Sequence, residues 1–287
     1  MQQEIEQKFN QASAFENENK YLHAIQIYEK LIAKYPNERY SYVKLSKIYE
    51  KLYNLNAAQN ILNKSITLFK DDEALKIYFA SFLIKNNLYS RASDILDEVS
   101  KEENPEVFFL LGVINFNMNE NEISQIYFDK YIEINKGVNN EEALIYLTKL
   151  ALRLNKIEEG FEYIKKAAEI TGLNFEAHLL TAQLYYFKEM NYHAYESVKK
   201  ALKLNDKSAS VNEWTGKILY ALEEYVKAEK HLRYSVSSGE ASSEVYTLLG
   251  LACKKNDKTE DANLFFEEAL LLNPNDNIAV NERINNL

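Results

Sequence analysis

Apolar residues recur along most of this chain at intervals of three, four and seven. The clearest stretch is residues 243–276, SEVYTLLGLACKKNDKTEDANLFFEEALLLNPND. Tyr246, Leu249, Gly250 and Cys253 fall on one face of a helix. Ala262, Phe266, Ala269 and Leu270 repeat that face on a second helix. Between them KKNDKTED is too polar to bury and rich in turn formers. Pro274 stops the second helix, because proline has no N–H to donate and clashes with the preceding turn. The small residues Gly250 and Ala262 sit on facing sides, where a bulky side chain would push the helices apart. The stretch predicts an αα-hairpin whose close contact is made by small residues and whose core is made by large ones.

The same arrangement returns in steps of 34 residues. Residues 209–242 carry Gly216, Leu219, Tyr225, Ala228 and Leu232, and residues 175–208 carry Ala182, Tyr185, Ala194, Val198 and Ala201. Residues 141–174 carry Leu144, Leu147, Ala151, Gly160, Ile164 and Ala167, with Thr148 at the small position. The register slips by two residues at KGVNN, 136–140. Before that come 105–138, with Phe108, Leu111, Gly112, Ser124 and Phe128, and 73–104, which is two residues short. Residues 39–72 and 5–38 complete eight units, with Leu45, Ser46 and Ala58 in one and Ala12, Ala24, Tyr28 and Pro36 in the other. The remainder, 277–287, is amphipathic through Ile278 and Ile284 and reads as a short helix capping the last unit.

This pattern resembles the tetratricopeptide repeat, a helix–turn–helix of about 34 residues. The family prefers a bulky residue at position 4, Leu at 7, a small residue at 8, Ala at 20, an aromatic at 24, Ala at 27 and Pro at 32. Residues 243–276 supply Tyr246, Leu249, Gly250, Ala262, Phe266, Ala269 and Pro274 at those places, and depart from the family only at position 11, where Cys253 replaces a bulky residue. The resemblance implies an all-α protein, an α-solenoid built as a right-handed superhelix of antiparallel helix pairs. It also implies a concave groove lined by the first helix of each repeat, and a non-catalytic scaffold or adaptor that holds a protein segment there.

On that implication the groove positions can be named. They include Tyr40, Lys44 and Lys47 in the second repeat, Ile77 and Tyr78 in the third, and Phe109 and Phe116 in the fourth. They continue through Ile145, Tyr146 and Lys149 to Tyr186, Trp214 and Lys217. Aromatic anchors give large contact area at low entropic cost, and lysines beside them would accept an acidic or C-terminal segment. Position 5 of each repeat has a competing reading, since it packs between neighbours. Chaperone-binding members of the family use a carboxylate clamp with Lys at position 5. No repeat here has one, so a carboxylate-clamp co-chaperone is not expected. Self-assembly is the alternative, with the apolar tail near Ile278 and Val280 entering another copy to give a homo-oligomer or assembly platform. A regulatory region of a larger complex is a further alternative.

Composition narrows the classes. Only 7 Gly and 3 Pro in 287 residues argue against a mixed fold. A formal net charge of -9 argues against nucleic acid as a partner. The single Cys253 permits no internal disulfide, and its place on the packed face predicts an inert thiol. The first residues, MQQEIEQKFNQ, lack the apolar core of a signal peptide, and FFLLGVINF at 108–116 is too short to span a bilayer. A cytoplasmic protein is expected; a removed leader would instead place it in the periplasm or envelope. His23, His178, His193 and His231 are scattered, no two glycines form a phosphate loop, and the many carboxylate pairs read as solvated faces. No catalytic residue, cofactor or metal is therefore expected.

Overall fold

A computed structural model of the chain describes residues 2–135, 140–171, 174–239 and 241–284. The register break at KGVNN falls mostly on residues 136–139, outside the described residues. Helices connected by turns make up the described structure, which divides into two compact units, Met1–Glu120 and Asn121–Leu287.

The first unit holds α1 (Gln2–Asn17), α2 (Tyr21–Lys34), α3 (Arg39–Lys51), α4 (Leu55–Leu68), α5 (Glu73–Lys85), α6 (Tyr89–Asp97) and α7 (Glu106–Asn117). The second holds α8 (Asn121–Ile134), α9 (Glu141–Arg153), α10 (Ile157–Thr171), α11 (Phe175–Phe187) and α12 (Asn191–Leu204). It continues through α13 (Ala209–Ala221), α14 (Tyr225–Val236), α15 (Ser243–Lys255), α16 (Thr259–Leu272) and α17 (Asn277–Ile284). Within each unit, successive helices pack on one another, and odd-numbered helices also touch: α5 with α7, α9 with α11, α11 with α13, and α13 with α15. The odd helices thus form a layer of their own. The fold is an all-α solenoid.

The predicted small and large positions do what their sizes require. Ala12, Ala24, Tyr28, Tyr42 and Leu45 are fully buried in the first unit, and Leu249, Cys253, Ala262, Phe266 and Ala269 in the second. A Cβ on Gly250 would stand 2.6 Å from the Phe266 ring, and one on Gly216 would stand 2.5 Å from Leu232. Both glycines are required by close approach, since real Cβ contacts do not reach such distances.

The turn inside each hairpin is built the same way throughout. Asn19, Tyr53, Asn87, Asn119, Asn155, Glu189, Glu223 and Asp257 all adopt left-handed backbone, with φ between 55° and 62°. Each lies two residues before the next even-numbered helix. These residues recur every 34 positions, apart from 32 between Asn87 and Asn119 and 36 between Asn119 and Asn155. Left-handed geometry ends the preceding helix by turning its last carbonyls to the chain that follows.

Four of the odd-numbered helices are opened by side-chain caps. Glu38, Asp72, Asn174 and Ser208 accept hydrogen bonds from the first-turn amides of α3, α5, α11 and α13. The short 73–104 stretch is closed differently. Glu73 accepts from the Ser100 amide at 2.9 Å and from Asn104 Nδ2 at 2.6 Å, tying the shortened connection to α5.

The tail differs in detail from expectation. Helix α17 packs on α16, but Ala279 is the buried residue, while Ile278 is 53% exposed. The reason is the cap: Asp276 accepts from the amides of Ile278 and Ala279, and its other oxygen accepts from Ser243 and Thr247. That clamp sets the helix phase and turns Ala279 inward. The side chain of Ile284 and residues 285–287 lie outside the described residues.

Candidate functional site

In the first unit the sequence-derived positions meet on α3 and α5. Tyr40 is 58% exposed and lines three cavities, two of them shared with Val43 on α3. One, about 560 Å³, is lined by Ile5, Phe9, Tyr40, Val43, Lys44 and Lys47. The other, about 200 Å³, lies between Tyr40, Val43, Leu75 and Tyr78. Arg39 stacks on the Tyr40 ring at 4.9 Å while pairing with Asp72, so the ring is held in place. Lys47 lies 5.3 Å from the centroid of Tyr78. The Tyr78 hydroxyl is 3.4 Å from Ser46 Oγ, and burial pushes its pKa up. Lys44 is within 3.5 Å of Glu16.

Several positions named from the sequence are not open. Ile77 and Phe116 in the first unit and Ile145 in the second are buried. Position 5 packs between neighbouring helices here, as it also does at Leu179 and Thr247. Phe116 is covered because α7 is apolar on nearly every face, burying Val107, Phe108, Leu111, Val113 and Ile114 as well. Phe109 is half-buried. Tyr146 is half-buried and stacks on Phe128 at 5.1 Å, so its ring is engaged in packing.

In the second unit three aromatic side chains cluster, with Tyr186 and Trp214 half-buried and Phe187 exposed. Tyr186 and Phe187 close α11, and Trp214 lies on α13. Their rings meet edge to face: Tyr186 to Phe187 at 5.7 Å, Tyr186 to Trp214 at 5.6 Å and Phe187 to Trp214 at 5.8 Å. Phe187, not among the groove positions named from the sequence, is the most open of the three at 51%. The lysines are not free charges. Lys149 pairs with Glu176 at 2.6 Å. Lys217 is only 8% exposed and pairs with Glu213 at 2.9 Å and Glu244 at 3.3 Å. Burial pulls its pKa down, but the two carboxylates outweigh it and the net shift is upward.

A second cluster was not foreseen. Glu229, on α14, is 4% exposed and accepts from Arg233 Nε at 2.8 Å, Lys258 Nζ at 2.8 and 2.9 Å, and Asn256 Nδ2 at 2.7 Å. Burial alone would raise its pKa; Lys258, Arg233 and Asn256 together bring it down to about 2. Glu229, Cys253 and Asp261 place three ligand-type atoms within 4.8 Å. Arg233 occupies that space, bonded to both carboxylates and 3.6 Å from Cys253 Sγ. A fixed guanidinium there does the work a cation would do, so these residues do not fit a metal ion. Burial and the neighbouring Glu229 push the Cys253 thiol up to about 11. The pair Glu229 and Arg233 is visible in sequence as an i,i+4 couple, but Lys258 and Asn256 come from another turn.

Of the histidines, His231 has a defined role. Asn212 Nδ2 donates to the carbonyls of Asp206 and Ser208, so its Oδ1 accepts from His231 Nδ1 at 2.8 Å. Burial lowers the pKa of this imidazole. Among the described residues, no helix is long and apolar enough to cross a membrane.

Comparison with known proteins gives a consistent answer. A protein-family profile described as "Tetratricopeptide repeat" matches residues 40–72 and 243–276. The chain is 27% identical over 240 residues to "TPR repeat-containing protein MJ1428" of Methanocaldococcus jannaschii. That alignment covers 73% of this chain and 40% of the relative, so the chain spans less than half of it. The fold is similar to the crystal structure of the APC/C hetero-tetramer Cut9-Hcn1, with a TM-score of 0.72 at 15% identity over 93% of this chain and 52% of that one. It is also similar to Pseudomonas aeruginosa PilF, with a TM-score of 0.65 at 16% identity over 75% and 98% of the two chains. Yeast Tom70 gives 0.58 at 18% identity over 93% and 58%. Proteins of this kind are generally non-catalytic interaction scaffolds. Two stretches match the tetratricopeptide-repeat profile, and the repeated hairpins and similar structures support a tetratricopeptide-repeat protein with many repeats.

Proposed function

We propose that this protein is a non-catalytic scaffold that holds a segment of a partner protein against the odd-numbered helices. The observation that carries this is Tyr40, an open aromatic ring held by Arg39 and lining two cavities on the face of α3. A ring in that position can anchor one side chain on each flank, which suits an extended segment whose alternate residues point the same way. Lys47 supplies a cation on the same face, whereas Lys44, Lys149 and Lys217 are each beside a carboxylate. An acidic partner is therefore favoured only next to Lys47. In this reading the repeats run 5–38, 39–72, 73–104, 105–138, 141–174, 175–208, 209–242 and 243–276, with 277–287 as a cap. The regular return of the left-handed turn residues supports that division.

Affinity capture from the source cell tests the site, comparing the natural chain with a Tyr40→Ala, Lys47→Ala variant of equal thermal stability. A partner lost by the variant supports the reading. A partner retained at full strength moves the site away from α3.

A second reading is self-association through the last two helices. Leu264, Leu271, Leu272 and Ile278 are all exposed there. Sedimentation over a concentration range would show a mass that grows with concentration if it holds, and a constant monomer mass if it does not.

A further inference from the structure

The aromatic cluster of the second unit has a definite chemical character. Tyr186, Phe187 and Trp214 meet at interplanar angles of 81°, 77° and 67°. Rings at near right angles leave wedge-shaped notches between them rather than a flat stack. The notch walls are π faces and ring edges, which suit a compact apolar ring. The Tyr186 hydroxyl and the Trp214 indole N–H have no hydrogen-bond partner among the described residues. Indole N–H is a donor only, and a phenol donates readily. The nearby charge is net negative: Lys217 lies 4.8 Å from the Trp214 centroid but is paired with both Glu213 and Glu244, so it offers no free cation.

The complementary ligand therefore has apolar rings, free carbonyl acceptors and no negative charge of its own. An α-helix fails on the second count, because its carbonyls bond internally. An ordinary β-segment brings N–H groups, which the Tyr186 and Trp214 donors do not pair. A polyproline II segment meets all three demands. Its prolines lack N–H, its carbonyls are unpaired, and its backbone is already ordered before binding.

We propose that Tyr186, Phe187 and Trp214 dock a proline-rich segment of a partner protein in the polyproline II conformation. This rests on the partner-binding reading above and specifies its ligand. Pyrrolidine rings fill the notches, while Tyr186 and Trp214 donate to backbone carbonyls of the segment. Affinity comes from ring contact together with a low ordering cost.

Trp214 is the only tryptophan in the chain, so its emission reports this surface directly. The full chain is titrated with three capped synthetic peptides of equal length: proline-rich, glycine/serine, and amphipathic helical. The proline-rich peptide is expected to shift Trp214 emission saturably and to bind at least about tenfold more tightly than the glycine/serine control. Tyr186→Phe keeps the ring and removes the donor, and is expected to weaken binding about three- to tenfold. Phe187→Ala removes a notch wall and is expected to weaken it more. Both variants should melt within a few degrees of the natural chain, so a loss of binding is not a loss of fold.

Equal affinity for the proline-rich and glycine/serine peptides would overturn the proposal, as would full binding by both variants. If the helical peptide alone perturbs Trp214, the polyproline assignment falls while partner binding at this face stands. If no peptide does, and Tyr40→Ala, Lys47→Ala still loses its captured partner, the assignment falls and the wider reading survives on α3.

Discussion

Glu229→Gln is the most informative single perturbation of stability in this chain. The carboxylate is buried and receives hydrogen bonds from Lys258, Arg233 and Asn256, which hold its pKa at about 2 against an ordinary 4.5. That gap corresponds to about 3 kcal/mol of stability at neutral pH. Its direction follows from the order of protonation. The unfolded chain takes up this proton first as pH falls, so the contribution is complete above about pH 4.5 and vanishes toward about pH 2. Glutamine has the shape of the protonated acid without the charge. The variant should therefore unfold about 3 kcal/mol more easily at neutral pH, with the difference from the natural chain shrinking through that window. Urea titrations followed by Trp214 emission measure this in the right unit, at neutral pH and at steps down into the acid range. A gap that stays constant with pH would refute the charge argument, and so would no gap at neutral pH.

Gly250→Ala should destabilise the chain by about 1–2 kcal/mol, because the new methyl meets the buried Phe266 ring at 2.6 Å and the lost contact geometry outweighs the better helix propensity; thermal unfolding checks it, and unchanged melting would count against the close approach. Tyr53→Asn should stabilise by about 0.5–1 kcal/mol, since Tyr53 is 90% exposed and sits at φ 56°, where asparagine is tolerated and tyrosine is strained; denaturant midpoints would show it. Cys253 should resist a thiol reagent in the folded chain at mildly alkaline pH and react at once in denaturant, as burial and a pKa near 11 require.

The hairpins were legible because sizes alternate at fixed places. Gly216 and Gly250 opposite Leu232 and Phe266 cannot be exchanged without collision, so the pattern survives in residue choice. The turns were less legible. Tyr53, Glu189 and Glu223 take left-handed backbone without being glycine or asparagine, so no local signal announced them. Position on a groove face did not guarantee access either, because Ile77, Ile145 and Phe116 face neighbouring helices whose distance no periodicity encodes. Charge was the least readable feature. Lys149 is neutralised by Glu176 and Lys217 by Glu244, both 27 residues away, and Glu229 gathers Lys258 from 29 away. Such partners meet only after the hairpins stack.

The turns within hairpins also determine where the chain tolerates editing. Every left-handed residue from Asn19 to Asp257 stands the same two places ahead of the next helix, whereas the irregular steps of 32 and 36 arise after that turn, the first where α6 is only 9 residues long. One shortening and one lengthening cancel, so Asn155 is back in phase with Asn87. The turn inside a hairpin is thus fixed, while the stretch from one turn to the next hairpin varies. A graft, tag or cleavage sequence placed between α12 and α13 would enter a seam of the kind that already varies, while the same insertion between α11 and α12 would break a turn repeated without change along the whole protein.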